Sequence, residues 1–299
     1  MPAKPPALDD LRRDIDEIDV AIHDLLMRRT EIGRQIGAVK GDNGPYFRPG
    51  REAQILRRLV DRHHGPLPAA VVLQIWREII GALTALQGSL TIAACTADGP
   101  ELQRLARNHY GLQAPITPHA LPMGVLRTVI EGQATIGIMP LPNSDDPEPW
   151  WRYLARDGAP RIVARLPFAA SESREPDALA ISLAEPEDSG RDRSYLILET
   201  VHERSRATLR DLLTRAGLQV IEVQTWTSER SRRLHLIEVD GFLAPGDARL
   251  AQLVQGPSSG SDDAGGNDAG LGNVWHVGGY AVPLSLGELA EAEARSGKS

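Results

Sequence analysis

Cationic side chains, joined by one carboxylate and one amide, recur through the N-terminal part of the chain and are the residues best suited to chemistry. They are Arg12, Arg29, Lys40, Arg51, Glu52 and Gln87. Side chains of these types can hold a small dianion, and their N–H groups can stabilise negative charge that grows on an oxygen as bonds shift. The set therefore predicts a site that binds an anionic small molecule and helps its bonds rearrange.

The first element that must position these residues is a long amphipathic helix. Between Leu8 and Lys40 the sequence has no proline, only two glycines, and apolar residues at three- and four-residue steps. These apolar residues are Leu11, Ile15, Ile18, Ile22, Leu25, Ile32, Ile36 and Val39. Asp9 or Asp10 can cap the start, and residues 41–45 supply stop signals. The spacing predicts one helix over residues 8–40.

Two shorter helices follow. Proline suits the first turn of a helix, so the second is predicted to begin near Pro49, and it carries an apolar face as far as Val60. The third is predicted from Pro68 to Gln87, with an inward stripe at Val72, Ile75, Trp76, Ile79, Leu83 and Leu86.

The length of the first helix predicts a dimer. A helix of about thirty residues is about 45 Å long, more than the two shorter helices can cover. Much of its apolar stripe would face water in a monomer, which soluble proteins avoid. The prediction is an intertwined homodimer formed through helix 1.

Helical geometry groups some of the polar residues. At about 100° per residue, the eleven-residue step from Arg29 to Lys40 returns to nearly the same face, whereas Arg12 lies about 100° away. Arg51 and Glu52 fall in the first turn of the second helix, where peptide N–H groups add positive potential. Arg29 and Lys40 can share a site, and Arg12 points elsewhere.

The charged positions also form a pattern across all three helices. It reads L-R-x-x-I-x-x-I-D, R-R-x-E-I-x-x-x-I-G-x-x-K, R-E-x-x-I-L-x-R and W-R-E-I-I-x-x-x-x-x-L-Q within residues 8 to 88. This pattern closely resembles the AroQ-type chorismate mutases. The resemblance implies an all-α three-helix domain over residues 1–88 and an isomerase that converts chorismate to prephenate in phenylalanine and tyrosine biosynthesis. It also implies a Claisen rearrangement with no covalent intermediate, metal or cofactor.

The resemblance assigns the binding of the substrate carboxylates. Arg29 and Arg51 would bind them, and Arg12 would reach across from the partner subunit. One nearby position departs from the family, because Arg48 stands where an aspartate is usual. This change adds a cation beside the substrate-binding residues.

The resemblance also assigns the residues that contact the ether oxygen and the ring hydroxyl of the substrate. Lys40 and Gln87 would donate to the ether oxygen, where negative charge grows as the C–O bond breaks, and Glu52 would accept from the ring hydroxyl. Leu83 lies one turn before Gln87, in the substrate-binding region, where the family often has serine. Its side chain removes a hydroxyl from the expected pocket.

Residues 89–190 resemble part of another enzyme. The segment V-I-E-G-Q-A-T-I-G-I-M-P-L-P-N-S is similar to a stretch of prephenate dehydratases and suggests the arrangement of the bifunctional P-protein. Pro142 replaces the glutamate of that stretch, the catalytic threonine motif aligns with Asp177-Ala178-Leu179, and a lobe is missing between Phe168 and Asp177. The expectation is a degenerate, one-lobed α/β domain without dehydratase activity.

Residues 191–285 show a β-α-β-β-α-β order that resembles an ACT domain. Its phenylalanine-binding marks are replaced, as at Arg206 and Gln224, so feedback by phenylalanine is not expected. A low-complexity insertion over 256–272 predicts disorder. Residues 286–299 are expected to be a flexible tail, beginning with a short acidic helix.

Composition bounds the cellular setting. The net charge of −7 over 299 residues disfavours nucleic acid as a partner, and no segment reads as long and apolar enough for a membrane. Cys95 is the single cysteine and is predicted to be a buried strand residue, which fits a reducing compartment. The start of the chain does not resemble a signal peptide, so the expected location is cytoplasmic.

Three hypotheses of different class follow. The leading one is a chorismate mutase fused to degenerate dehydratase-like and ACT-like regions. The second is a non-catalytic regulatory or binding module, suggested by Arg48 and Leu83. The third is a bifunctional chorismate mutase-prephenate dehydratase with a rebuilt second site.

Overall fold

The N-terminal part of the chain forms three helices. The computed structural model describes residues 7–40, 46–88, 90–170, 176–228, 232–255 and 271–295. The helices are α1 (Leu8–Lys40), α2 (Pro49–Asp61) and α3 (Ala69–Gln87). These bounds confirm the predicted helices to within about one residue at their starts, and the predicted stop signals at 41–45 lie outside the described residues.

The rest of the described chain alternates strands and helices. In order these are β1 (Ile92–Cys95), α4 (Glu101–Tyr110), β2 (Ile116–His119), α5 (Pro122–Ile130), β3 (Ile136–Pro140), a 3₁₀ helix (Trp150–Leu154), β4 (Arg161–Leu166), β5 (Ala178–Ser182), β6 (Asp192–Thr200), α6 (Arg206–Arg215), β7 (Val220–Thr227), β8 (Arg233–Asp240), α7 (Ala248–Gln255), β9 (Leu271–Ala281) and α8 (Leu286–Ala294). The β-α-β-β-α-β order expected after residue 191 is present from β6 to β9.

The nine described strands form one sheet in the order β2-β1-β3-β5-β4-β9-β6-β8-β7. The three strands at the β2 end are parallel to one another, while β6 to β9 pair antiparallel among themselves. The expected boundary near residue 190 therefore separates two halves of a continuous sheet.

A glycine joins the two halves. Gly278 of β9 pairs with Ile162 of β4 and has φ +118°, a left-handed conformation that side chains rarely tolerate. A Cβ at this position would lie 2.1 Å from the carbonyl oxygen of Ile162. Only glycine allows the two backbones to approach this closely.

The parallel strands are buried on both faces. Alternate residues of β1 enter different cores because strand side chains alternate. Ala94 packs in the core that contains Leu105 of α4, whereas Cys95 packs in the core that contains Val125 and Val129 of α5. Cys95 is 2% exposed, which confirms the prediction of a buried strand residue.

Helix α2 is attached to the sheet region through a half-buried arginine, Arg57. The Nη1 of Arg57 donates to the carbonyl and Oγ of Ser189, and its Nη2 donates to the carbonyls of Arg191 and Val282. Four hydrogen bonds from one guanidinium fix α2 against the segments that flank β6 and β9.

The C-terminal segment differs from the flexible tail that was expected for 286–299. Residues 286–294 form α8, whose start has a capping box between Ser285 and Glu288. Leu289 and Ala292 are buried against α2 and α3. The apolar residues at three-residue spacing give this short acidic helix a face to bury. The insertion predicted for 256–272 lies outside the described residues, apart from Leu271 and Gly272, which begin β9.

Helix α3 corrects two expectations. Its buried residues are Ala69, Leu73 and Arg77, whereas Ile75 and Leu86 of the predicted inward stripe are 45% and 70% exposed. Within the described part of the chain it is also the one helix long and apolar enough to cross a membrane, with a mean hydropathy of 1.5. The expectation that no segment is long and apolar enough to span a membrane was therefore wrong by this measure of length and hydropathy. The helix has two apolar faces, and one of them packs on the sheet region around the charged Arg77.

Candidate active site

The end of α3 meets α1 at two glycines. A Cβ at Gly33 would lie 3.4 Å from the Nε2 of Gln87, and a Cβ at Gly37 would lie 3.5 Å from its Cγ. Both distances are ordinary van der Waals contact, so the amide side chain of Gln87 lies directly on the surface of α1. Gln87 is therefore packed against α1 at Gly33 and Gly37, although a methyl group at either position would also fit.

The same face of α1 carries two of the predicted cations. Four residues of α1 follow one another at steps of four, four and three: Arg29, Gly33, Gly37 and Lys40. Their directions around the helix axis therefore fall within an arc of about 80°. Arg29 is half-buried, and burial lowers the pKa of its guanidinium. Gln87 therefore lies along α1 between Arg29 and the backbone position of Lys40, whose side chain lies outside the described residues.

Arg12 lies far from this group within one chain. It is exposed and forms an ion pair with Asp9 at 3.3 Å. The seventeen residues between Arg12 and Arg29 span about 25 Å of helix, several times the reach of an arginine side chain. A single chain does not bring Arg12 to Arg29 and Gln87.

The cations at the start of α2 point outward. Arg51 is exposed, and its Nη1 donates to the Oε1 of Gln54 at 3.4 Å. The Nε of Arg48 lies 2.6 Å from the Oε1 of Glu187 in the loop after β5. The charge that Arg48 adds beside the site is thus matched by a carboxylate from the sheet region. Leu83 is half-buried one turn before Gln87.

Glu52 points away from Arg51, into the interior of the protein. Its Oε1 accepts from the Nη1 of Arg77 at 3.0 Å, and that same Nη1 also donates to the carbonyl of His109 at 3.2 Å. Burial raises the pKa of Glu52, although the nearby guanidinium opposes that shift, and burial lowers the pKa of Arg77. Burial, with a smaller contribution from Arg77, holds the pKa of His109 well below its usual value, so this histidine is neutral.

The sequence analysis did not single out Arg77, although its position in α3 predicts that it is buried. Arg77 lies four residues after Leu73 and eight after Ala69, so it shares their face. Its side chain is 6% exposed and its guanidinium lies 5.7 Å from the centre of the Phe168 ring. A cation on the buried face of an apolar helix indicates an internal ion pair.

Removing one partner of this pair is expected to be costly. Arg77→Met leaves the Glu52 carboxylate buried without a cation, which lowers the free energy of unfolding by about 3 kcal/mol or more. The double variant Arg77→Met/Glu52→Met removes both charges and should recover most of that loss. Urea denaturation followed by circular dichroism measures both values.

The control is a surface pair. Arg127 and Glu131 lie 2.6 Å apart with side chains 78% and 38% exposed, so Arg127→Met should cost less than about 1 kcal/mol. Equal losses in the single and double variants at Arg77 would contradict the role of the ion pair.

The helical segment matches a known family. Residues 11–88 match the family model described as chorismate mutase type II. This match confirms the resemblance to chorismate mutases that the pattern of charged residues indicated for residues 8 to 88.

The similarity to known proteins extends beyond the helices. The chain is 30% identical over 142 residues to a bifunctional chorismate mutase/prephenate dehydratase of Stutzerimonas stutzeri, covering 46% of this chain and 39% of that protein. It is 34% identical over 135 residues to a protein of the same description from Neisseria gonorrhoeae, covering 45% of this chain and 37% of that protein. The chain thus spans about two fifths of the length of these curated relatives. A solved prephenate dehydratase from Streptococcus mutans aligns with 66% of this chain and 100% of its own, at 15% identity and a TM-score of 0.46.

Proposed function

We propose that the chain is a chorismate mutase that rearranges chorismate to prephenate. The observation that carries this proposal is the position of Gln87 on α1, between Arg29 and the backbone of Lys40, within the segment that matches the chorismate mutase family. An amide and cations that lie along one stretch of α1 suit a dianionic substrate whose ether oxygen gains negative charge during the reaction. The reaction is unimolecular: the ether C–O bond breaks as a C–C bond forms in the same molecule.

The residues divide the work between orientation and charge stabilisation. As the resemblance implies, Arg29 and Arg51 hold the two carboxylates and select the compact, reactive conformer, which requires the exposed Arg51 side chain to turn away from Gln54. Lys40 and Gln87 donate to the ether oxygen, and this interaction strengthens only as the C–O bond breaks, so it lowers the barrier. Glu52 is held by Arg77 in this structure, and the hydroxyl-acceptor role that the resemblance implies for it requires that ion pair to open.

The active form that we propose is a homodimer through α1. Along this helix the apolar side chains of Ile15, Ile18, Ile22 and Leu25 are 57%, 56%, 50% and 63% exposed. Soluble proteins cover such a stripe, and a second copy of the same helix supplies a matching one. The partner's α1 would also bring a second Arg12 to the site that Arg12 of the same chain does not reach.

The remaining regions are proposed to be a dehydratase-like domain at 89–190 and an ACT-like domain at 191–285, in a cytoplasmic enzyme. Pro142 stands at the position of the dehydratase glutamate, and its carbonyl accepts a hydrogen bond from Gln224 of β7 at 3.2 Å. This hydrogen bond to β7 supports a structural role for the segment that contains Pro142. The bifunctional alternative is favoured by the relatives whose similarity continues past the helices.

One assay separates the alternatives. Purified protein is given chorismate, and the loss of chorismate, the formation of prephenate and the formation of phenylpyruvate are followed together. We expect prephenate to accumulate. Phenylpyruvate would instead support the bifunctional enzyme, and an absence of turnover would support a non-catalytic module and overturn the proposal.

A further inference from the structure

A loop of the sheet region runs alongside the first half of helix α2. It comprises residues 187–191, between β5 and β6. Glu187 lies against Gly50, where a Cβ on the glycine would be 2.7 Å from the Cβ of Glu187 and 2.8 Å from its carbonyl oxygen. One turn further along α2, the Nε2 of Gln54 donates to the carbonyl of Asp188 at 3.2 Å. The start of α2 is therefore in close contact with this loop.

Glu187 places a negative charge on the first turn of α2. Its Oε1 lies 2.6 Å from the Nε of Arg48, and its Oε2 accepts from the backbone N–H of Arg51 at 3.4 Å. The side chains of Glu187 and Arg48 are 25% and 46% exposed, so water and salt screen their charges only in part. One carboxylate thus neutralises Arg48 and also uses the peptide N–H of Arg51, the residue whose side chain is proposed to hold a substrate carboxylate.

The start of α2 also lies close to the end of α3, where Gln87 contacts α1. The ring of Tyr46 lies against Gly88, where an added Cβ would be 2.6 Å from the Cδ2 of the tyrosine. Gly88 directly follows Gln87 in the chain. Tyr46 is two residues before Arg48, so their Cα atoms are at most about 7 Å apart. The charges of Arg48 and Glu187 are therefore close enough to the proposed active site to act on an anion bound there.

We propose that Glu187 is a specificity-determining residue of the mutase site, whose carboxylate competes with the substrate for the positive charge at the start of α2 and so weakens the binding of a dianion. Two effects act in the same direction. The carboxylate repels a second anion held by Arg51, and it neutralises Arg48, whose guanidinium would otherwise attract that anion. The inference rests on the proposed function, because it concerns the substrate affinity of the same site.

A purely structural role of Glu187 is the rival explanation. A carboxylate at the first turn of a helix also stabilises the helix, because it accepts from a backbone N–H that has no partner within the helix. Glutamine keeps the length of the side chain and an oxygen that can accept from the N–H of Arg51, but it carries no charge. Glu187→Gln therefore removes the competition for charge and leaves the structural contact in place.

The experiment compares chorismate turnover by the full chain and by its Glu187→Gln variant. We expect KM to fall at least about threefold with kcat within about twofold, because only the binding of the charged substrate improves. The difference in KM should shrink in about 0.5 M sodium chloride, because salt screens exposed charges but does not affect a structural contact. Arg48→Gln leaves the charge of Glu187 without its cation and should raise KM at least about threefold.

A second ion pair provides the control. Glu203 lies 3.2 Å from Arg233 and follows the far end of β6, whereas Glu187 lies before the start of that strand. The nine residues of β6 separate the two positions by about 25 Å. Glu203→Gln removes the same charge from the chain and should leave KM within about twofold, because the distance exceeds the range of screened electrostatics.

A dianion that cannot rearrange keeps this inference separable from the mutase activity. Calorimetric titration with trans-cyclohexane-1,4-dicarboxylate measures anion binding without turnover, and Glu187→Gln should bind this probe at least about threefold more tightly than the unaltered chain. Tighter binding of the probe by a chain that does not turn over chorismate would overturn the mutase proposal and support the role of Glu187 in anion binding.

Three results would overturn the role of Glu187, with the fold of each variant verified by circular dichroism. They are a KM in Glu187→Gln that is unchanged or higher, an equal fall of KM in Glu187→Gln and Glu203→Gln, and a fall of KM that persists undiminished in high salt. Chorismate turnover by the unaltered chain would leave the mutase proposal standing in all three cases. A chain that neither turned over chorismate nor bound the dicarboxylate would overturn both proposals.

Discussion

Gln87→Leu is expected to lower kcat for chorismate rearrangement by about a hundredfold or more, with little change in KM. Leucine keeps the carbon atoms of the side chain that lie against Gly37, but it removes the amide nitrogen that lies against Gly33 and would donate to the ether oxygen. Because that oxygen carries most of its negative charge in the transition state, the lost hydrogen bond affects the rate more than the binding. Steady-state kinetics on purified protein, read from the loss of chorismate, measures both constants.

The matched control changes a glutamine of α1 to leucine on another face. Gln35 donates to Glu31 at 3.0 Å and lies about 120° around the helix from Arg29. Gln35→Leu should leave kcat within about twofold of the starting value, since surface changes away from the site have small effects. If both variants lose the same factor, the loss arises from a general disturbance of the helices, and Gln87 is not a donor to the reaction.

Sequence periodicity predicted this part of the molecule well. The bounds of α1, and the shared face of Arg29 and Lys40, depend only on the helical repeat, which is a local property of the chain. The contact of Gln87 with α1 depends on how α3 packs against α1, which the repeat of either helix alone does not give. The family pattern singled out Gln87, and in the structure its side chain contacts α1 at Gly33 and Gly37.

Pairings between distant segments were beyond the reach of the same reasoning. Arg77 and Glu52 are 25 residues apart; the resemblance assigned Glu52 to the ring hydroxyl of the substrate, no pattern singled out Arg77, and only the packing of α3 on the sheet region shows that the two form a buried pair. Strands of four to six residues such as β2, β4 and β5 carry little periodic signal, and strand pairing depends on the whole sheet. The continuity of that sheet depends on Gly278, whose role follows from its backbone conformation alone.

The largest effect on assembly is expected from Ile22→Glu. Ile22 lies in the exposed apolar stripe of α1 and is 50% exposed in the single chain. In a symmetric dimer through α1, each interface would bury two unpaired carboxylates, each costing several kcal/mol. We expect the unaltered protein to run as a dimer in light scattering coupled to size exclusion, and the dissociation constant of the variant to rise at least about a thousandfold.

Val20→Glu is the control for Ile22→Glu. Val20 is 62% exposed and lies two residues away, about 200° around the helix, so the same charge is added to the opposite face of α1. This variant should remain a dimer with unchanged kinetics. A change of mass in both variants would show that charge on α1 unfolds the helix, and no change in either would place the dimer interface elsewhere.

Dissociation and activity should be lost together, because the proposed site takes Arg12 from the partner subunit. Within one chain Arg12 lies about 25 Å along α1 from Arg29, so a monomer lacks one of the three arginines that hold the substrate carboxylates. Diluting the Ile22→Glu protein should therefore lower its activity per chain, and raising its concentration should restore activity as dimers form again. A monomer that kept full kcat at every concentration would show that one chain holds the complete site, and the assignment of Arg12 would then be wrong.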